Sequence, residues 1–222
     1  MYSSIISFIV MRISFKLLDN NQEISDKILQ ALIPEIDKYL KKSLQTIRKK
    51  LPILIINVLK NTPEYDSLSG GQLQYEFGIP DSTNKLNSNL EIWSKNIDIV
   101  YKSPTITGNR IKASFSVSLI RNDFSDVLSS DASFVFDNLK GYQLPWLEWL
   151  LLEGNKIIVP KQEVILGPNK FSRTGYAIMR ESNKSWKVPS QFAGTKTDNW
   201  ITRAIDNAES QINELLDKAF EK

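Results

Sequence analysis

Asp98, Glu148, Glu153 and Glu163, with a scatter of lysines, are the groups best able to move protons in this chain, because histidine and cysteine do not occur in it. Their absence excludes a Ser-His-Asp triad, a Cys-His pair and a zinc site of the usual His/Cys kind. Carboxylate chemistry stays open. Two of these carboxyls at glycosidase separation in one cleft would make a carboxylate-dependent hydrolase, acting for instance on cell-wall sugars. Glu148 and Glu153 flank Trp149, but five positions apart on a helix they point in different directions, which favours solvated or salt-bridged carboxylates over an acid–base pair. The glycine-bounded run GPNKFSRTG, residues 167–175, offers Lys170, Ser172, Arg173 and Thr174 without the glycine-lysine-hydroxyl order of a Walker loop. The expectation is no catalytic residue, no cofactor and no metal.

The surroundings of these groups point to contact rather than reaction. Between Leu144 and Arg203 the chain gathers Trp146, Trp149, Trp186 and Trp200, four of its five tryptophans, among glycines and prolines at turn positions. Tryptophan and arginine dominate interface hot spots, so Trp146, Trp149, Arg173, Arg180, Trp186 and Trp200 are the candidate docking residues. Most of the tryptophans are expected in the core, with one or two left exposed to mark a patch. Arg173 and Arg180 read equally well as intramolecular staples.

A second candidate surface is electrostatic. From Lys38 to Pro63 the chain carries Lys38, Lys41, Lys42, Arg48, Lys49, Lys50 and Lys60 and no acidic residue. A solvated polar face is the bland reading of such a run. The sharper one sets Lys41, Lys42, Arg48 and Lys49 along a DNA channel or against an acidic neighbour, with contacts to phosphates and no readout of sequence. Near the other end Asp206, Glu209, Glu214, Asp217 and Glu221 make an acidic counterpart. The two could pair within one subunit or between neighbours in a ring. The net charge of +3 is too small to argue nucleic-acid binding alone.

The elements that position these residues follow from periodicity. Composition, with 41% hydrophobic and 24% charged residues over 222 positions, fits one soluble α+β domain, and the lack of cysteine removes any disulfide framework. Ile5 to Val10 is too short and too soon interrupted for a membrane span, and no export signal or membrane partner is read. Residues 1–18 form an N-terminal extension and strand, in which Ile9, Met11, Ile13, Phe15 and Leu17 alternate with polar residues. Residues 22–90 are helical: Ile24, Ile28, Leu32, Ile36, Leu40, Leu44, Ile47, Leu51, Leu54 and Val58 mark a long amphipathic segment, bent or broken near Pro34 and Pro52.

Thr62-Pro63-Glu64 starts another helix and Gly78-Ile79-Pro80 stops it. Residues 91–140 form antiparallel strands with one buried face: one from about Glu91 with Trp93, Ile97, Ile99 and Tyr101 on one side, one through Ile111, Ala113, Phe115, Val117 and Leu119, and one over Ala132–Phe136. Residues 141–222 hold the tryptophan block and a C-terminal helix. Leu144 to Glu153 is a short helix stopped by Gly154, residues 157–159 and 164–166 are short strands, and Asp198 opens the last helix.

On these residues the chain resembles a known family. The run from Arg12 through the long helix, the stretch TPEYDSLSGGQLQYEFGIP (62–80), and later SRTGYAIM (172–179) with WKVPSQFAGTKTDNWITRAI (186–205) are similar to the minor tail protein Z type of tail-completion and neck proteins of tailed bacteriophages. The likeness spans most of Met11 to Ile205. It implies an α+β fold, no catalysis, and a place in the virion reached from the host bacterial cytoplasm. It also implies a ring at the head-proximal end of the tail that completes the tail and prepares head–tail joining. The implied partners are further copies of the chain, a hexamer before a dodecamer, and neighbouring neck, tail-terminator or tail-tube proteins, with transient non-specific DNA contact.

Overall fold

The computed structural model describes residues 22–118, 124–137 and 141–221; the strand expected over residues 9–17 lies outside them. The architecture is α+β. A long helix, α1 (Gln22–Lys60), leads into α2 (Pro63–Gly70), α3 (Gln72–Phe77) and α4 (Ser82–Lys95). The strands β1 (Asp98–Ile106) and β2 (Ile111–Ser118) follow, then α5 (Ser125–Leu128), a 3-10 turn (Asp131–Ser133), β3 (Val135–Asp137), β4 (Tyr142–Leu144) and α6 (Trp146–Leu151). The chain closes with β5 (Gln162–Leu166), β6 (Ala177–Glu181), α7 (Trp200–Asn207) and α8 (Glu209–Phe220). Two compact units result: unit 1 from residues 22–53, 96–118 and 211–221, and unit 2 from residues 54–95, 124–137 and 141–210.

In place of one sheet there are three antiparallel ribbons, β1–β2, β3–β4 and β5–β6, each of two strands. The strand expected from about Glu91 begins only at Asp98, with Ile99 and Tyr101 in β1; residues 91–95 are instead helical, because Leu86, Leu90 and Trp93 recur at i, i+4 and i+7 and bury one face of α4. Residues 132–136 divide between the 3-10 turn and β3, and of residues 157–159 only Val159 bridges, to Trp186.

Unit 1 is built on residues 22–53 of α1, which runs through Pro34 and Pro52 as one helix of 39 residues; of the expected bend or break, the break does not occur. A helical proline leaves the carbonyl four residues earlier without its donor. Here those carbonyls belong to Gln30 and Arg48, both exposed residues, which lowers the cost of the missing donor. The early phase also differs. Ile24, Ile28 and Leu32 are exposed, while Ser25 and Leu29 are buried; from Leu40 through Leu44, Ile47 and Leu51 the expected row is buried.

β1 and β2 pair with Ile99 opposite Val117 and Tyr101 opposite Phe115. The register slips between Lys102 and Thr105, where Pro104 cannot donate to a ladder. In β2 the predicted alternation holds, with Ile111, Phe115 and Val117 buried. Phe115 packs on Phe220 with ring centroids 4.9 Å apart, and the Tyr39 hydroxyl donates to the Phe220 carbonyl, so the end of α8 is tied to α1 and β2.

Unit 2 is an aromatic core. Thr62 caps α2 as expected, accepting from the Tyr65 N–H at 3.2 Å, with Pro63 in the first turn. Gly78 ends α3 in the left-handed conformation, φ 64°. Its Phe77 side chain packs against Trp146 at 6.1 Å and edge-on to Trp186 at 5.6 Å. Asn199 opens α7 through a capping box with Thr202. The expected single last helix turns at Ala208 into α7 and α8.

Gly154 and Gly194 let two backbone stretches meet: the Gly154 N–H donates to the Gly194 carbonyl at 3.2 Å. A Cβ on Gly194 would sit 2.5 Å from the Leu150 carbonyl oxygen. Gly194→Ala is therefore expected to destabilise by about 2 kcal/mol, the usual scale of overpacking. Gly70→Ala, at the end of α2 with open space around it, is expected to be neutral or stabilising by up to about 1 kcal/mol. Denaturant unfolding of the two variants side by side checks the contrast.

Candidate functional site

Of the four carboxylates that could have done chemistry, two are ion-paired. Asp98 belongs to unit 1 and the other three to unit 2. Glu153 binds Lys156 at 2.5 Å and Glu163 binds Lys184 at 3.1 Å. The Lys184 ammonium, hydrogen-bonded to Glu163, holds that carboxyl below its ordinary range, the opposite of what a general acid needs. Among the described residues no cluster of three Asp or Glu side chains is placed to hold a metal ion, and no helix is long and apolar enough to cross a membrane.

The loop at residues 167–175 spends its own donors. Backbone N–H groups of Gly167, Asn169, Ser172 and Gly175 bond to the carbonyls of Tyr176, Gly175, Asn169 and Ser172, at 2.6 to 3.2 Å. Phe171 donates to Asn169 Oδ1 at 2.9 Å and Thr174 to Ser172 Oγ at 3.2 Å. A phosphate cradle needs such groups free and convergent; here they hold the tip of the β5–β6 hairpin.

The tryptophans expected at a docking surface are interior. Trp146 is 0% exposed, Trp200 1% and Trp186 7%, so in this fold they present no area to a partner; Trp149 is half-buried. Each of the three buried indoles places its N–H: Trp146 on the Ala132 carbonyl at 3.0 Å, Trp186 on Glu76 at 2.9 Å, and Trp200 on Thr62 Oγ1 at 2.7 Å. Arg173 is a staple, bonding the Gly78 carbonyl at 3.2 Å and Asp137 at 3.3 Å. Arg180 is exposed on β6, opposite Glu163 across the ribbon.

What the sequence reading missed is that the β5–β6 hairpin exposes several apolar side chains, on both faces of the ribbon. Ile165 and Leu166 on β5, Met179 on β6, and Tyr176 beside the tip are all exposed, and Phe171 at the tip is 82% exposed with Lys170 Nζ 5.1 Å from its ring centroid. Soluble surfaces tolerate single apolar residues, while several on one two-stranded ribbon make it a candidate contact site. The available signal was Phe171 itself, a large aromatic in a tight polar turn where no core position exists. Lys161, Lys170, Arg180 and Lys187 are exposed along the same stretch.

The basic face of α1 is present and on the surface. Lys38, Lys41, Lys42, Arg48 and Lys49 are exposed at spacings of three, four and seven that align them along one side of the helix. Lys41 is ion-paired with Asp37 at 2.6 Å, and Lys42, Arg48 and Lys49 have no acidic partner among the described residues. The acidic side of α8 is exposed too, with Glu214 paired to Lys218 on its own helix. Within unit 1 the two helices meet through apolar side chains, Leu40, Leu44 and Phe220 lining a small cavity with Tyr101 and Phe115.

No family model matches the chain, and neither a curated protein nor a solved structure matches it.

Beside the basic face, Asp37 accepts from the Tyr101 hydroxyl at 2.7 Å. The Lys41 hydrogen bond first, then that of Tyr101, hold its carboxyl below the ordinary value, and burial followed by the Asp37 contact pushes the phenol up. A depressed carboxyl contributes stability above its unfolded value, about pH 3.9, that is lost as pH falls through the folded one. Tyr101→Phe is therefore expected to destabilise most at neutral pH, with the gap to the unsubstituted chain narrowing below about pH 4. Urea unfolding at pH 7 and pH 3 measures it; a gap that widens at low pH would count against the assignment.

Proposed function

We propose that this chain acts by assembly: a structural virion protein of a tailed phage, forming a ring at the neck or head-proximal end of the tail and serving tail completion and head–tail joining. The observation that carries an assembly role is the exposed apolar hairpin, with Phe171 at its tip and Ile165, Leu166 and Met179 on its strands. The place in a virion rests on the resemblance of residues 62–80, 172–179 and 186–205 to tail-completion proteins. The ion pairing of Glu153 and Glu163 weighs against the hydrolase reading. A closed ring needs two different patches on each subunit that meet head to tail.

Native mass spectrometry of the purified chain at moderate salt is expected to give a discrete hexamer, or failing that a dodecamer. A monomer at every concentration would remove self-assembly from the proposal.

A second reading is favoured by one observation, the unpaired basic row on α1. Lys42, Arg48 and Lys49, with Lys41, would touch phosphates of passing DNA without reading sequence. Retention on duplex DNA is then expected to fall steeply with salt, and alanine at all four positions to abolish it. Unchanged retention in that variant would exclude this helix as the DNA face.

A further inference from the structure

We propose that the β5–β6 ribbon links successive copies of this chain: β5 of one copy adds as a strand to the outer edge of β6 on the next, and repetition closes a ring. This deepens the assembly reading and rests on it. The two strands form a sheet of their own, so each has one side without a strand beside it. The Gly167 N–H donates to the Tyr176 carbonyl and the Ser182 N–H to the Lys161 carbonyl. In that phase the pairs 165–178 and 163–180 exchange the inner bonds, while Gln162, Val164 and Leu166 on β5 and Met179 and Glu181 on β6 aim their backbone N–H and C=O groups outward. No hydrogen bond among the described residues takes up these outward groups, and the residues that carry them are exposed or half-buried. Only the tip end of the β6 side is already used, since Ala177 is buried and its N–H donates to Ser172 Oγ at 3.2 Å.

Sheet edges are ordinarily blunted by proline, bulges, short length or charge. β1 carries Pro104 and a slipped register, and β3 and β4 have three residues each. β5 and β6 have five residues each in unbroken register, with no proline and no charge from Val164 to Leu166 or from Ala177 to Met179. Their exposed apolar residues lie on both faces, Leu166 and Met179 on one and Ile165 on the other. A partner laid on one face covers only one set, whereas strands added at the edges give both sets cross-strand neighbours. A second copy is the occupant because the ribbon supplies both halves of the contact. β5 runs antiparallel to β6 within a copy, so a copy held the same way up offers its β5 antiparallel to its neighbour's β6. Two unlike edges meeting head to tail are what a closed ring needs, and closure leaves no edge over.

The test is native mass spectrometry of full-length variants that block one edge at a time, with melting temperature as the fold control. Val164→Pro removes an outward N–H from β5 and Met179→Pro one from β6, and neither N–H belongs to the ribbon's inner bonds. Each variant alone is expected to be monomeric. An equimolar mixture is expected to stop at a one-to-one heterodimer, joined through the intact β6 edge of the first and the intact β5 edge of the second. Hydrogen exchange on the wild-type chain is a second readout that needs no variant: the amides of Val164, Leu166, Met179 and Glu181 are expected to exchange at least about tenfold more slowly in the ring than in the diluted monomer. If the wild-type chain assembles but these amides exchange equally fast in both states, or if either folded variant keeps the wild-type mass, the ribbon is not the contact and the ring reading survives. Dimers of one variant alone would mean that like edges pair, and the head-to-tail link falls. A wild-type chain that is monomeric at every concentration sinks both, leaving the edge to a strand of another protein or to none.

Discussion

A buried indole must place its N–H, and unit 2 is organised by where three of them do so. An unpaired donor in a dry core costs about 1–3 kcal/mol, so each tryptophan dictates an acceptor within reach. Trp200 takes the hydroxyl of Thr62, which at the same time caps α2. Trp186 takes the Glu76 carboxylate on α3, and Trp146 the carbonyl of Ala132. These bonds join segments 138, 110 and 14 positions apart in the chain. The area that the rings bury supplies the driving force; the N–H bonds decide which arrangement collects it. Arg203 adds a charged tie at the same end, binding Glu64 at 2.9 Å and Asp198 at 2.8 Å. Burial works against its guanidinium, but the two carboxylates outweigh it and hold its pKa above the ordinary value.

That interior explains how an apolar hairpin can remain outside. Trp186 is bonded to Glu76 and bridged to Val159, just before β5, and Ala177, the first residue of β6, is buried. The ribbon is thus held at both ends, at its base through Val159 and Trp186 and near its tip through Ala177 and Arg173, while Phe171 stays exposed. Had the hairpin been loosely attached, its apolar residues could have folded back on the core. Internal hydrogen bonding of the loop at 167–175 prevents that collapse by using the tip's own donors and acceptors.

Much of this was legible in the sequence where a local rule suffices. Thr62-Pro63 marked a helix start, Gly78 a stop, and the alternation through Ile111, Phe115 and Val117 a half-buried strand. Longer-range competition hid the rest. Around Ile24 to Ile36 apolar residues are dense enough to supply two stripes, and periodicity alone could not choose the one through Leu29. Trp93 was assigned to a strand because Ile97, Ile99 and Tyr101 continue its parity, although Leu86 and Leu90 claim it for a helix. The tryptophan block illustrates a different limit. Composition identifies residues that favour interfaces and cores alike, and only the positions of Ala132, Glu76 and Thr62 assign three of the indoles to the core. The same ambiguity concealed the surface, since Ile165, Leu166 and Met179 read as ordinary strand residues and only the structure shows them exposed.

Electrostatics then limits what the surface can do. A net charge of +3 says little, yet the charge is segregated: cations along α1 and on the hairpin, anions along α8. At physiological salt the field of an exposed charge fades over about 8 Å, so segregation cannot hold two bodies together from a distance. It guides approach and rejects wrong orientations, and affinity must come from apolar area excluded from water at contact. The β5–β6 hairpin exposes apolar side chains, Leu166, Phe171 and Met179 among them, whereas the exposed residues of α1 from Lys38 to Lys50 are all polar or charged. A contact made through this surface would therefore draw its affinity from the few apolar side chains exposed on the β5–β6 ribbon.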